Sequence, residues 1–384
     1  MKNIPYGRQS VDRSDIAEAV KVLRSDWLTQ GPKIAEFEKS LCAYTGAKYA
    51  VAVSSGTAAL HIASLAAGLK CGDEAITSPI TFVASANCAL YCGARPVFAD
   101  ISPDTANIDP DEVSKRITRR TKVIIPIHFA GHPCDLSEIA GIARKKKIMV
   151  IEDAAHAIGA EYKGSKIGSC KYSDMTIFSF HPVKTITTGE GGAVLTNSGK
   201  LHRALLLFRN HGITKDISLM DRTMRGCGWY YEMHDLGFNY RITDIQAALG
   251  VSQLKKADQF VEKRRSIAAL YNDAFAGNQF FDTPDEKKEA YSACHLYPIR
   301  LKDGYMKKRK DIFASLRSRG VGVQVHYIPV HTQPYYRKLG YKRGACPNAE
   351  DYYSREISLP IYPALKAAQA RYVIDTIFKI CGRI

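Results

Sequence analysis

The sequence predicts an α/β protein with a mostly parallel central sheet, followed by a smaller α+β domain. Between residues 47 and 197, short apolar runs alternate with segments of helical periodicity. Strands that are apolar along nearly their whole length are typical of a parallel sheet with helices on both faces. After about residue 250 the alternation stops, and a long polar helical stretch at 245–275 leads into mixed short elements. We therefore predict a large domain over residues 1–250 and a small domain over 251–384, with the boundary inside that helical stretch.

The individual elements follow from local signals. Ser14 and Asp15 provide an N-cap signal for a helix at 14–25, and Gly31-Pro32 separates it from a helix at 33–45. The predicted strands of the sheet are 49–53, 74–77, 95–99, 122–127, 148–152, 174–178 and 193–196. The predicted helices between them include 58–67, 83–91, 111–117 and 136–147. In the small domain we predict strands at 297–301 and 323–327 and helices at 307–319 and 367–379.

Composition limits the class of protein. A chain of 384 residues can bury a large core, and it contains no run of about 18 apolar residues, so no membrane span is expected. The first residues lack an apolar signal core, which predicts a cytoplasmic protein. The ten cysteines show no regular framework and fit free thiols in a reducing compartment.

Charge and the metal-binding residue types indicate what the protein binds. His128, His132 and Cys134 lie close together, but no second ligand pair follows at a recognised spacing, so we predict no metal. The net charge of +16 admits either nucleic acid or a smaller polyanion as the ligand. The longest basic run, at 145–147, ends a predicted helix, where cations are favourable, and no nucleic-acid motif accompanies it. We therefore expect a phosphorylated small substrate and no nucleic acid.

Three stretches lie where ligands of parallel sheets bind, at the carboxyl ends of the strands. Ser54–Leu60 opens a helix with small residues, which indicates either an anion site or simple N-capping. Asp153 ends a buried strand and suits a cationic ring nitrogen, or caps a helix. Lys184 lies between two apolar runs, where lost hydration would lower its pKa, although a snorkelling surface lysine has the same pattern. Together, in this order, the three predict a pyridoxal 5'-phosphate (PLP) site.

Five motifs resemble those of the DegT/DnrJ/EryC1/StrS nucleotide-sugar aminotransferase family, and the resemblance covers nearly the whole chain. The motifs are Ser55-Gly56-Thr57, Glu152-Asp153-Ala154-Ala155-His156, Ser179-Phe180-His181-Pro182-Val183-Lys184, Gly189-Glu190-Gly191-Gly192 and Gly237-Phe238-Asn239-Tyr240-Arg241. The resemblance implies an aspartate aminotransferase-like fold (PLP fold type I), PLP as the cofactor, and transfer of an amino group. Related proteins that remove a hydroxyl group instead have histidine in place of Lys184.

The same resemblance implies roles for single residues. The catalytic residues would be Lys184, which carries the cofactor as a Schiff base and moves protons, with Asp153 at the pyridinium nitrogen and His156 beside the ring. Phe82 would be the aromatic neighbour of the ring, and Gly56, Thr57 and Ser179 would hold the phosphate. Asn239 would reach the cofactor of a second subunit, which implies a homodimer with shared active sites. The implied substrate-binding residues are Tyr6, Asp26, Trp27, Leu28, Thr29, Gly56, Ser179, Asn239, Gln324, Val325, His326 and Tyr327.

Two further stretches, 229–233 and 323–330, resemble one subgroup of the family. Its members aminate C4 of a UDP-linked 4-keto-6-deoxy-N-acetylhexosamine in pseudaminic acid biosynthesis, with glutamate as the expected amino donor. The Phe180-His181-x-x-Lys184 arrangement also resembles the aminotransferase that acts on a UDP-4-keto-pentose. The sequence assigns no role to His181 and no residues to the glutamate carboxylates.

Overall fold

The computed structural model describes residues 3–224 and 226–383. Its strands are β1 (Tyr49–Val53), β2 (Glu74–Thr77), β3 (Arg95–Phe98), β4 (Thr121–Ile125), β5 (Met149–Asp153), β6 (Glu161–Tyr162), β7 (Ser165–Lys166), β8 (Met175–Ser179), β9 (Gly192–Thr196), β10 (Ile213–Thr214), β11 (Glu232–Met233), β12 (Phe281–Asp282), β13 (Ala290–Tyr291), β14 (Tyr297–Leu301) and β15 (Glu356–Leu359).

The helices lie between these strands and at both ends of the chain. They are α1 (Arg13–Leu23), α2 (Pro32–Thr45), α3 (Gly56–Ala66), α4 (Ala84–Tyr91), α5 (Pro110–Arg116), α6 (Leu136–Lys146), α7 (Gly199–Arg209), α8 (Asp244–Leu254), α9 (Ala257–Phe275), α10 (Asp303–Met306), α11 (Arg309–Ser318), α12 (Pro334–Lys338), α13 (Pro347–Arg355) and α14 (Ala367–Cys381). Among the described residues, none of these helices combines the length and hydropathy needed to cross a bilayer.

The central sheet has the strand order β1-β9-β8-β5-β4-β2-β3. The pairs from β8 to β3 are parallel, whereas β9 is antiparallel to both of its neighbours. Parallel neighbours need a crossover connection, but β8 returns directly into β9 through an irregular loop that carries Lys184. The predicted mostly parallel sheet is therefore confirmed, with one antiparallel strand that the lysine loop produces.

Both faces of the sheet are buried, because its strands have apolar side chains on both sides. In β1, Ala50 and Ala52 face a core that includes Phe37 of α2. Val51 and Val53 alternate with them and pack on the opposite face with α3 and α4. Nearly continuous apolar strands are what this two-sided burial requires.

A second apolar core surrounds the small sheet β12-β14-β15 and helices α9, α11 and α14. The predicted helical stretch at 245–275 is two helices, α8 and α9, which are separated at residues 255–256. Helix α9 contributes Phe260 to the large core and Tyr271 to the second one. The division of the chain into domains at residue 250 stays a prediction.

The beginning of the chain joins this second core. Ile4 is 2% exposed and pairs with Val321 in an isolated parallel bridge. The Tyr6 carbonyl accepts a hydrogen bond from Ile361 N at 3.1 Å. Helix α1, which follows, packs instead against α8. The first residues thus connect the two cores.

The predicted strand at 323–327 is wrong, since this segment makes only an isolated bridge between Gln324 and Ser358. The reason is that the following backbone donors bond to side chains, Val325 N to Gln324 Oε1 at 3.2 Å and His326 N to the Glu356 carboxylate at 2.8 Å. The segment is therefore a loop that lies beside β15. The short strands β6, β7 and β10 to β13 were not predicted, because two residues carry no periodic signal.

Candidate active site

A cleft of about 890 Å³ opens at the carboxyl ends of the parallel strands. One wall consists of strand ends and the start of α3, and the other is the loop 324–328. Among the residues predicted from the sequence, the cleft brings together Tyr6, Gly56, Thr57, Phe82, Asp153, His156, Ser179, Lys184, Gln324, Val325, His326 and Tyr327.

Lys184 lies in the loop between β8 and β9, where its backbone N–H bonds to the His181 carbonyl at 2.8 Å. Burial of the ammonium group lowers the pKa of Lys184 to about 8, although the Asp153 carboxylate acts in the opposite direction. Roughly a tenth of the amine is therefore neutral and nucleophilic at pH 7, far more than for an unperturbed lysine. This environment differs from that of a solvated surface lysine.

Asp153 is the last residue of β5 and is 5% exposed. Its carboxylate accepts hydrogen bonds from Ser85 Oγ at 2.6 Å and from Ala155 N at 3.1 Å. No helix begins in the turn after Asp153, so helix capping does not explain its position. Two hydrogen bonds donated to the carboxylate hold it in place and suit its ionised form.

Glu152, the preceding acid, points to the other side of the strand. It pairs with His128 Nε2 at 2.8 Å and accepts from Thr176 Oγ1 at 3.1 Å and from Ser173. His128 also accepts from Cys134 N through Nδ1, at 3.0 Å. The residues that had the types of metal ligands are thus engaged in an internal hydrogen-bond network. His132 is engaged likewise, since its Nε2 atom accepts a hydrogen bond from Lys287 N at 3.0 Å.

The start of α3 forms an anion-binding surface beside β8. Ser55 caps the helix by accepting from Ala58 N at 3.1 Å, and the N–H groups of Gly56 and Thr57 have no acceptor within the helix. A Cβ atom on Gly56 would lie 2.8 Å from the Ser179 Cβ atom, so only glycine allows this approach. Free N–H groups at a helix N-terminus, next to the Ser179 hydroxyl, suit a phosphate group. The capping and anion-binding interpretations are therefore compatible.

His156 lies deep in the cleft and is 6% exposed. Its Nε2 atom is 3.2 Å from the Tyr327 hydroxyl, whereas its buried Nδ1 atom has no hydrogen-bond partner among the described residues. Burial, together with the positive charge of Lys184, holds the pKa of His156 well below its usual value. The imidazole is therefore neutral.

Two residues behind His156 were missed by the sequence analysis. The ring of His295 lies 4.3 Å from the His156 ring, centroid to centroid. Arg264, 1% exposed, donates to the carbonyls of His295 at 3.1 Å and Ile361 at 2.8 Å. Neither residue belongs to a motif, so only the tertiary contacts reveal them.

Five residues predicted to bind cofactor or substrate lie outside this cleft. Asp26, Trp27, Leu28 and Thr29 are all exposed and run beside the start of α8, where the Leu28 carbonyl accepts from Asp244 N at 3.0 Å. Asn239 is exposed and forms a bridge with Asn210. The 229–233 stretch is also outside the cleft, and Trp229 in it is 72% exposed.

The residues of the cleft fit PLP. The N–H groups of α3 and Ser179 suit its phosphate, the Asp153 carboxylate suits its ring nitrogen, and Lys184 offers an amine of lowered pKa. The neutral imidazole of His156 lines the same cleft. With PLP bound, the free N–H groups of α3 and the Lys184 amine would gain partners.

Comparison with known proteins identifies the family. The model of the DegT/DnrJ/EryC1/StrS aminotransferase family matches residues 9–378. An uncharacterized protein of Methanocaldococcus jannaschii is 44% identical over 379 residues, which are 98% of this chain and 97% of that protein. The UDP-4-amino-4,6-dideoxy-N-acetyl-beta-L-altrosamine transaminase of Campylobacter jejuni serotype O:23/36 is 41% identical over 385 residues, 99% of this chain and 98% of the relative.

Solved structures agree with this match. PseC from Helicobacter pylori, an aminotransferase involved in the biosynthesis of pseudoaminic acid, has a TM-score of 0.93 at 35% identity, with 100% of each chain covered. The PLP form of Spr1654 from Streptococcus pneumoniae has a TM-score of 0.92 at 31% identity, with 99% of each chain covered. The predicted fold, enzyme class and cofactor are thereby confirmed. The chain belongs to the DegT/DnrJ/EryC1/StrS aminotransferase family and is a PLP-dependent sugar aminotransferase.

Proposed function

We propose that this enzyme transfers an amino group from L-glutamate to C4 of a UDP-linked 4-keto-6-deoxy-N-acetylhexosamine. The product would be UDP-4-amino-4,6-dideoxy-N-acetyl-β-L-altrosamine, an intermediate of pseudaminic acid biosynthesis. The observation that carries the chemistry is the cleft that holds Lys184, Asp153 and the start of α3 together. The choice of sugar is supported by the Campylobacter relative, which is a UDP-4-amino-4,6-dideoxy-N-acetyl-beta-L-altrosamine transaminase.

The chain's own residues would divide the chemical work as follows. PLP, when bound, supplies the electron sink that makes a bond at the adjacent carbon labile. Gly56, Thr57 and Ser179 bind its phosphate, and Asp153 keeps its ring nitrogen protonated. Lys184 Nζ accepts the proton from the α-carbon of glutamate in the first half-reaction and donates one to C4 of the sugar in the second.

The position of His156 supports an orienting role. Tyr327 holds the Nε2 side of the imidazole at 3.2 Å, and the neighbouring His295 ring blocks its movement on one side. A neutral His156 would then lie in the cleft without adding a positive charge beside Lys184. A second cation there would lower the pKa of Lys184 further.

We propose further that the active unit is a homodimer with shared sites. In this arrangement Asn239 and the 26–29 segment complete the cleft of the other subunit, which explains why they are exposed and outside their own cleft. The test mixes inactive Lys184→Ala chains with inactive Asn239→Ala chains. Random pairing would restore about a quarter of the wild-type sites, since half the dimers would have one intact site. No recovery, with mixed dimers demonstrated, would contradict shared sites.

The basic chain suits a UDP-sugar, because a positive cleft attracts its diphosphate. The decisive assay compares kcat/KM for the 4-keto-6-deoxy-N-acetylhexosamine and the UDP-4-keto-pentose, each with glutamate. A pocket that hydrogen-bonds the acetamido group would reject the pentose by roughly 10⁴-fold, because its polar groups would be unpaired. Equal rates, or preference for the pentose, would contradict the sugar assignment alone.

The amino donor has a direct spectroscopic test. Purified holoenzyme should absorb at about 410–430 nm, and glutamate should shift the band to about 330 nm, as expected of the carbonyl and aminated cofactor. Aspartate and alanine are the matched comparisons. A shift with one of these and none with glutamate would overturn the donor assignment.

A further inference from the structure

Two polar residues, Glu356 and Ser358, lie behind the wall of the cleft that the loop 324–328 forms. Glu356 and Ser358 are two residues apart in β15, so their side chains are on the same face of the strand. That face contacts the loop, because Ser358 Oγ lies 2.8 Å from His326 Nδ1. Glu356 and Ser358 are 0% and 1% exposed, and neither lines the cleft.

These residues form a linear hydrogen-bond chain that ends at His326. Glu356 Oε1 and Ser358 Oγ are 2.5 Å apart, and Ser358 Oγ and His326 Nδ1 are 2.8 Å apart. The other carboxyl oxygen, Oε2, accepts from His326 N at 2.8 Å. The Nε2 atom of His326 has no hydrogen-bond partner among the described residues, and His326 lines the cleft. These hydrogen bonds therefore connect the buried Glu356 to a histidine on the substrate side of the wall.

The hydroxyl of Ser358 has one hydrogen, so the chain has two consistent directions. If Glu356 is protonated, it donates to Ser358, Ser358 donates to Nδ1, and the imidazole hydrogen is on Nε2. If Glu356 is ionised, Ser358 donates to the carboxylate and accepts from Nδ1–H, which leaves Nε2 as an acceptor. The charge of Glu356 thus decides whether His326 offers the cleft a donor or an acceptor.

We propose that Glu356 and Ser358 act as positioning residues that fix His326 as its Nε2–H tautomer, so that it donates a hydrogen bond to an oxygen atom of the bound substrate. This inference deepens the proposed function and rests on it for the identity of the substrate. A carbonyl, hydroxyl or phosphoryl oxygen of the nucleotide sugar accepts such a bond.

The surroundings of Glu356 favour its neutral, protonated form. Burial raises the pKa of Glu356 to about 8, against the hydrogen bonds from Ser358 and His326 N and the positive charge of Arg309. The phenols of Tyr352 and Tyr327 are the other titratable groups that interact with Glu356. Burial, and then the charge of Lys184, lowers the pKa of His326 to about 3. His326 is therefore neutral, and its hydrogen bond with Ser358 determines which tautomer it adopts.

The first test measures the tautomer directly in the PLP-loaded enzyme. Histidine labelled with ¹⁵N distinguishes a protonated ring nitrogen from an unprotonated one, and a His326→Asn variant identifies the signals. We expect Nε2 to be protonated at pH 7 and the pattern to reverse as the pH rises through about 8. An Nδ1-protonated His326 at pH 7 would overturn the proposal without any measurement of turnover.

The second test uses kinetics and a conservative variant. Glu356→Gln keeps a donor toward Ser358 and an acceptor for His326 N, so it should retain the donor tautomer at all pH values and lose the fall in kcat/KM above about pH 8. Ser358→Ala breaks the chain and should lower kcat/KM about tenfold at pH 7, the scale of one hydrogen bond. Glu350→Gln, beside the cleft-distant His331, is the matched control and should keep the wild-type profile.

The comparison of variants separates Glu356 from Lys184, whose pKa is also about 8. An alkaline fall caused by Lys184 would persist in Glu356→Gln, and an unchanged profile in that variant would overturn the proposal. If Ser358→Ala does not fold, the NMR measurement and the pH profile of kcat/KM in Glu356→Gln still test the proposal. If His326 has the expected tautomer but the enzyme aminates neither keto-sugar, the proposed function is contradicted and the positioning role of Glu356 and Ser358 is supported. If the enzyme aminates a keto-sugar but His326 has the opposite tautomer, the proposed function stands and the positioning role is contradicted.

Discussion

The two walls of the cleft each rely on a buried acid, and the two acids are in opposite environments. Asp153, at the end of β5, accepts from Ser85 Oγ at 2.6 Å and lies in the field of Lys184. Glu356, in β15, is bonded to Ser358 Oγ at 2.5 Å, but its burial outweighs the charge of Arg309. A hydrogen bond with a serine hydroxyl therefore does not by itself indicate whether a carboxyl group is charged. Asp153 would face the ring nitrogen of the cofactor, whereas Glu356 would donate a hydrogen bond to Ser358.

The largest expected effect removes the amine of Lys184, which lies close enough to Asp153 for the carboxylate to raise its pKa. Lys184→Ala should lower kcat at least about 10⁴-fold, because the positioned acid and base is lost. The chromophore that borohydride reduces on the protein should disappear in the same variant. Lys171→Ala, at a surface lysine bonded to Ser165, is the control and should behave as wild type. A Lys184→Ala protein with a covalently reducible cofactor would refute the assignment.

The second effect tests whether Asp153 acts as an ion. Asp153→Asn keeps the shape and the bond from Ser85 but removes the charge opposite the ring nitrogen. We expect a barrier higher by about 2–4 kcal/mol, measured as kcat, with PLP still bound. Unchanged kinetics would remove Asp153 from the site.

The neighbouring acid is the internal control for that variant. Glu152→Gln weakens the buried pair with His128, whose atoms are 2.8 Å apart, and leaves the cleft wall in place. It should lower Tm without a comparable loss of kcat, because Glu152 faces away from the cleft. A loss of kcat equal to that of Asp153→Asn would show that the two acids act together.

The wall that contains Asp153 could be predicted from the sequence, and the opposite wall could not. Strands such as β1, β5 and β8 are mostly apolar, so their ends, and with them Asp153 and the loop that carries Lys184, can be located by counting. The 323–327 segment alternates apolar and polar residues as a strand does. However, the backbone N–H of His326 donates a hydrogen bond to the side chain of Glu356, some thirty residues later. That contact, like those of His295 and Arg264, is set by tertiary packing and leaves no local pattern.

The smallest expected effect changes the field at Glu356. Arg309 is the cation that opposes the raised pKa of Glu356, so Arg309→Gln should raise that pKa further. The alkaline limb of kcat/KM should then move to higher pH, by less than about one pH unit because only one distant charge is removed. Arg317→Gln, on the same helix, provides the control. A shift to lower pH would contradict the role given to Glu356.

The packing of Ile4 against Val321 also affects the order in which the protein can fold. During synthesis the first residues leave the ribosome long before β14, β15 and α14, with which Ile4 shares a core. The central sheet can form while the remainder is still being made, but Ile4 cannot pack until β15 and α14 have been synthesised. Closing such a long loop is slow and entropically costly. The docking of residues 4–6 would then follow formation of the sheet, and because it places Tyr6 in the cleft, the enzyme would become competent late in folding.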